Sequence, residues 1–221
     1  MSVLVVAAHP DDEVLGCGAT ISRLANEGND VFIAILGEGV TSRSDTGTEG
    51  VLKLKEKAIE VAALLGAKEV FTFDFPDNRF DTVALLDIVK QIEELIKKLS
   101  PEVVFTHHGG DLNIDHVITH RAVLTATRPL EGSSVKEVYV FEVPSSTEWA
   151  FGSFGSFNPD VFFDASVGIE CKLKAMEIYD SEARESPHPR SPEILRAISR
   201  RWGSAVALEY AEAFETIRRI V

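Results

Sequence analysis

Short apolar runs alternate with amphipathic stretches along most of the chain. Val3-Leu4-Val5-Val6-Ala7-Ala8 is unbroken, and Val31-Phe32-Ile33-Ala34-Ile35-Leu36 repeats the pattern. Glu69–Phe73, Val103–Phe105 and Val138–Phe141 are shorter strand candidates. Each reads as a strand, and a run without polar interruption belongs to a strand buried on both faces. Between them, Val51, Leu54, Ala58, Val61, Ala62 and Leu65 recur at helical spacing. Leu85, Val89, Ile92, Ile96 and Leu99 form an inward stripe opposite Lys90, Glu93, Glu94, Lys97 and Lys98. Asp115–Arg128 reads as a further helix, and another helical run begins near Val167. This alternation predicts an α/β fold: a mainly parallel sheet between two helical layers, joined by right-handed connections. The 221 residues suffice for one large domain, taken as residues 1–221.

Three irregular stretches interrupt the pattern. Residues 37–50 (GEGVTSRSDTGTEG) follow the second strand and read equally as a surface loop or as a substrate loop. Residues 145–159 carry Trp149, Phe151, Phe154 and Phe157 among serines and glycines. Packing is the favoured role for those rings, ahead of an aromatic subsite for a sugar. Residues 180–192 hold three prolines and end the helical run. The roughly 30 residues beyond them are too few for a core of their own.

Composition narrows the partners. A net charge of −13 and the lack of a basic stripe argue against nucleic acid. The acidity is read as solubility. The first apolar run lacks a basic leader and is too short for a signal peptide or a membrane span. Cys17 and Cys171 form no CxxC pair, which suggests reduced thiols and a cytoplasmic location.

The candidate chemistry is concentrated. His9-Pro10-Asp11-Asp12-Glu13 closes the first strand, and Thr106–His116 closes the fourth. Five of the six histidines fall in these segments or one turn beyond, at His120. In a doubly wound sheet, strands one and four adjoin at the switch point, where ligands bind at the carboxyl ends. Carboxylates and imidazoles gathered there need charge compensation, for which a divalent cation is the simplest agent. His9, Asp12 and His116 can converge on one ion. Two imidazoles and a carboxylate with an open position suit catalytic zinc, and equally a non-haem iron site. Asp11, facing elsewhere, is free to act as a base. His116 and His120 are at i, i+4 but lack the glutamate of the zincin pattern. Gly16-Cys17-Gly18 faintly echoes a nucleotide fingerprint, yet it follows two carboxylates that would repel a pyrophosphate.

Ala8-His9-Pro10-Asp11-Asp12-Glu13 and Asp115-His116, in this order and at these strand ends, resemble the LmbE/PIG-L family of zinc-dependent N-deacetylases. The resemblance implies a Rossmann-like three-layer sandwich, Zn2+ (or another divalent metal) on His9, Asp12 and His116, Asp11 as general base and, often, a homo-oligomer. It also implies an N-acetylated amino sugar or sugar conjugate as substrate, with acetate released. A non-catalytic zinc- or sugar-binding module and a metal hydrolase acting on another amide are the alternatives. Many relatives carry His-Pro-Asp-His where this chain has Asn113-Ile114-Asp115-His116. Asn113 can donate to an oxyanion but supplies no proton, so Asp11 or His188 is expected to serve as the acid. Asp115 is expected to orient a neighbouring histidine, and Arg43 and Arg79 to contact substrate hydroxyls or a phosphate.

Overall fold

The computed structural model describes residues 1–39 and 48–221. Among the described residues seven strands form one sheet: β1 (Ser2–Ala7), β2 (Asp30–Gly37), β3 (Glu69–Phe75), β4 (Val103–His107), β5 (Glu137–Phe141), β6 (Val161–Asp164) and β7 (Ala211–Arg219). Their order is β3-β2-β1-β4-β5-β7-β6. The first five are parallel, with Val3 facing Val31 on one side and Val103 on the other. The described residues also form six α-helices: α1 (Asp12–Asn26), α2 (Thr48–Leu65), α3 (Leu85–Leu99), α4 (Ile114–Ala126), α5 (Ile169–Ile178) and α6 (Pro192–Ala205). No helix among the described residues is long and apolar enough to cross a membrane.

Successive side chains of the central strands feed two cores. Val3 and Val5, with Val31, Ile33 and Ile35, pack beneath α1, α2 and α5. Leu4 and Val6, with Phe32, Ala34 and Leu36, pack beneath α3 and α4. This two-sided burial explains why β1 and β2 read as continuous apolar runs. The stripe expected on α3 is met in part: Val89 and Ile92 are buried and Ile96 and Leu99 pack half-buried against the core, but Leu85 is exposed, and Ile88 and Leu95 complete the buried face.

The far side of the sheet departs from the expected alternation. β7 runs antiparallel to both β5 and β6. Neither β6 nor β7 carries a long apolar run. β6 is only four residues, and β7 (AEAFETIRR) is charged along its outer half.

A second departure lies inside α1. Cys17 is non-helical (φ −148°, ψ 25°), and the helix kinks there. The break frees backbone groups that must find other partners. Glu212 of β7 accepts from the amides of Ala19 (3.1 Å) and Thr20 (2.7 Å). Lys172 of α5 donates to the Leu15 carbonyl (2.8 Å) and to Glu212 (2.6 Å). Both charged side chains are buried. Gly16, half of the faint glycine fingerprint, is required by packing: a Cβ there would run into the Phe141 ring.

Candidate metal centre

The sheet order reverses between β1 and β4, so their carboxyl ends open the crevice in which the polar residues meet. Beyond β1 the chain turns sharply. The His9 amide donates to Asp12 Oδ2 (2.9 Å), and Asp11 takes a φ of 116°, rare for a residue with a side chain. Asp12 then opens α1. Beyond β4, Asn113 caps α4 by accepting from the Asp115 amide (2.9 Å), which fixes Asp115 and His116 on the first turn.

Three donors converge. His9 Nδ1 lies 3.3 Å and His116 Nε2 3.2 Å from Asp12 Oδ2, and the three donor atoms lie within 4.8 Å of one another. Ligands bound tetrahedrally at about 2.0–2.1 Å stand about 3.3 Å apart, so the two imidazole–carboxylate spacings fit a zinc-sized cation. Each imidazole turns its other nitrogen to a second carboxylate. His9 Nε2 lies 2.9 Å from Asp115 Oδ2, whose partner oxygen accepts from the Phe80 amide (2.9 Å). His116 Nδ1 lies 3.1 Å from Asp111 Oδ1, close enough for charge attraction though not aligned as a hydrogen bond. Asp111 is itself held by Ser146, Thr147 (2.6 Å) and the Asn113 amide (2.8 Å). The His9–Asp115 pairing fixes the tautomer that leaves the Nδ1 lone pair of His9 facing a cation. His9, Asp77 and Asp115 form a second close grouping, on the opposite ring nitrogen of His9.

Electrostatics follow from this crowding. Burial pulls His9 down, but the Asp115 and Asp12 carboxylates prevail and raise its pKa to about 10. The same contest, with Asp12 and Asp111, takes His116 to about 9. Burial penalises the charge on Asp12, yet the protonated His116 ring, with His9 beside it, holds it well below the usual carboxylate range. His107 lies beneath the cluster, stacked on His116 with ring centroids 4.1 Å apart. Its Nε2 accepts from the Ala8 amide (2.8 Å), and burial, then the neighbouring His116, pushes its pKa well down. A neutral ring thus supports His116 from below.

Asp11 faces away from the three donors. Its carboxylate meets Arg190 Nη1 (2.6 Å), and its amide donates to Glu13 Oε2 (3.0 Å). Burial lifts Asp11 to about 7 against the pull of Arg190, with Asp12 and Glu182 adding to the rise. Asp11 and Asn113 line a pocket with His9, Asp77, Glu182 and Arg190.

The other expected residues are placed differently. Arg43 lies outside the described residues. Arg79 is exposed and is not part of that lining. His188 also stands outside it, edge-on to Trp149 at 5.6 Å, while Arg190, two residues later, reaches in. Sequence reasoning does not single out Asp77, Asp111, Glu182 or Arg190. Their segments carry weak signals: Asp77 begins the Asp-Asn-Arg triplet that ends in Arg79, and Asp111 lies within the histidine-rich stretch. Of the loop aromatics, Phe157 packs against His108 and Trp202, whereas Phe151 and Phe154 are 87% and 66% exposed. Packing therefore does not account for the whole set.

An imidazole–carboxylate cluster at the switch point of a doubly wound sheet, backed by buried carboxylates, is a donor set fit for a divalent cation. Comparison with known proteins gives the family. The profile of GlcNAc-PI de-N-acetylase (PIG-L) matches residues 4–127, which span both strand-end segments. The deacetylase YaiS of Escherichia coli K12 is 31% identical over 165 residues, covering 72% of this chain and 80% of that protein. Diacetylchitobiose deacetylase of Thermococcus kodakarensis is 28% identical over 231 residues, covering 97% and 82%. The crystal structure of the conserved protein TT1542 from Thermus thermophilus superposes with a TM-score of 0.79 at 25% identity, covering 99% of this chain and 95% of that one. The chain belongs to the PIG-L family.

Proposed function

We propose that this protein is a zinc-dependent N-deacetylase that removes the acetyl group from an N-acetylated amino sugar or sugar conjugate and releases acetate. One observation carries the reading: a buried carboxylate, Asp11, stands beside a three-donor set whose imidazole–carboxylate spacings suit zinc. Support for the sugar comes from the relative that acts on diacetylchitobiose.

When bound by His9, Asp12 and His116, the cation supplies a Lewis acid that polarises an amide carbonyl and acidifies water. The remaining roles fall to side chains. Asp11 removes a proton from the attacking water and delivers it to the departing amine as the C–N bond breaks. Asn113 is oriented by its capping duty. Its Oδ1 is taken by the Asp115 amide, so its NH2 group is left to face Asn78 (3.2 Å). An amide has two N–H donors, and the second serves the oxyanion. His9 and His116 are kept in place by Asp115 and Asp111.

The test combines metal analysis with acetate release across a panel of N-acetylated sugars and conjugates. Stoichiometric zinc with acetate release from one of them is expected. Zinc without release from any would instead favour a binding module, and release only from other amides would move the substrate class. Asp11→Asn is expected to lower turnover about 100-fold or more with metal retained, as loss of a general base does.

A further inference from the structure

We infer that Arg190 is a positioning residue for Asp11, gripping one carboxylate oxygen so that the other faces the pocket. The inference rests on the proposal that Asp11 is the base, and it concerns a residue from the irregular segment between α5 and α6.

The grip is built from several parts of the chain. Arg190 Nη1 meets Asp11 Oδ2 at 2.6 Å, while Nε donates to Ser145 Oγ at 2.7 Å. A planar guanidinium holds two partners in fixed directions, which an ammonium cannot do. Glu182 Oε2 lies 3.5 Å from the same Nη1. The arginine side chain is only 19% exposed, so it is enclosed by its surroundings. Its backbone is secured on both sides. The Arg190 amide donates to His188 Nδ1 (3.2 Å), and the next residue, Ser191, caps α6 through the Ile194 amide (3.3 Å).

Asp11 is secured from the other direction too. Glu13 Oε2 accepts its amide at 3.0 Å, and Glu13 Oε1 receives the Tyr179 hydroxyl at 2.7 Å. Both partners are buried. The backbone of Asp11 (φ 116°) and that of Ser145 (φ 74°) lie in the region that L-residues rarely occupy. Arg190 ties these two unusual turns together. A base must lie within hydrogen-bond reach of the proton it abstracts, and a displacement of about 1 Å can cost about 100-fold. A carboxylate on a short side chain rotates freely unless something holds it. His188, the expected candidate from this segment, thus serves as an acceptor for the backbone of the residue that reaches the site.

The experiment uses the full-length metal-loaded protein and the substrate from which wild type releases acetate. Arg190→Ala is expected to lower kcat about 10- to 100-fold, with KM within about twofold and metal content unchanged. Added guanidinium ion is expected to restore about tenfold, and Arg190→Lys to keep most of the loss. In an Asp11→Asn background, Arg190→Ala is expected to cost nothing more, because it acts through Asp11. A crystal structure of Arg190→Ala should show the Asp11 carboxylate rotated. A raised KM with intact kcat would make Arg190 a substrate ligand and overturn the inference. Additive losses in the double variant, loss of metal, or wild-type turnover would overturn it as well. If wild type releases no acetate, or Asp11→Asn stays fully active, the deacetylase reading fails. The orientation of Asp11 in the Arg190→Ala crystal still decides whether Arg190 holds it.

Discussion

At His9 the two nitrogens of one ring face different demands. Nδ1 turns to Asp12 and Nε2 to Asp115. Without a cation, carboxylates on both sides keep the ring protonated, with the pKa raised to about 10, and His116 follows at about 9. A metal needs the lone pairs that these protons occupy, so binding must expel protons. Apparent metal affinity should therefore rise with pH from about 6 to about 8. Calorimetry in buffers of different ionisation enthalpy would measure the protons released, and pH-independent affinity with none released would contradict the argument. The convergence of His9, Asp12 and His116 was legible in the sequence because histidines and paired carboxylates are conspicuous at the ends of apolar runs. Asp111, Asp77 and Arg190 were not. Acidic and basic residues in loops have no periodicity, and their partners are chosen only when distant segments meet. Arg190 reaches Asp11 across 179 positions of chain.

Among the elements, α1 shows how a helix can be interrupted without being lost. Its kink at Cys17 leaves the Ala19 and Thr20 amides to Glu212 and the Leu15 carbonyl to Lys172. Removing one member of a buried pair leaves the other charge uncompensated, at about 3–5 kcal/mol. Glu212→Ala should lower the unfolding free energy by about that amount in urea denaturation. A loss under about 1 kcal/mol would show that water satisfies the break. The sequence offered no sign of the kink, because Gly16-Cys17-Gly18 is compatible with helix, turn or nucleotide loop. β1, β2, β4 and β5 were legible for a clear reason: burial on both faces demands nearly uninterrupted apolar residues, whereas β3, an edge strand with no fully buried residue, was legible only from its valine and phenylalanines. β7 escaped because its outer half faces partly solvated surroundings and mixes charge with isoleucine and threonine.

For the whole molecule, the polar centre sets a pH balance. Burial raises the Asp11 carboxyl to about 7 and Glu13 to about 8, so the folded state holds these protons more tightly than the unfolded chain does. Their contribution is complete below the unfolded carboxyl range and is lost as pH rises through the folded values. His9 and His116 act with the same sign. Their contribution is full below about 6.5 and fades as pH climbs through their raised values. Asp12 and Asp111 oppose this, since their lowered values withdraw stability as the solution becomes acidic. Metal-free protein should be most stable at about pH 4–6, and added zinc should raise the melting temperature more at about pH 8 than at about pH 6. Thermal melts with and without a chelator would check both, and a metal-free optimum above about pH 8 would reverse the signs. The strand order has a consequence for assembly. β6 joins the sheet through β7, which follows it by nearly fifty residues of chain and also carries Glu212. During synthesis the parallel half of the sheet can gather early, whereas β6 must wait unattached until the final strand emerges. The finishing of the sheet edge and the bracing of α1 thus become one late event.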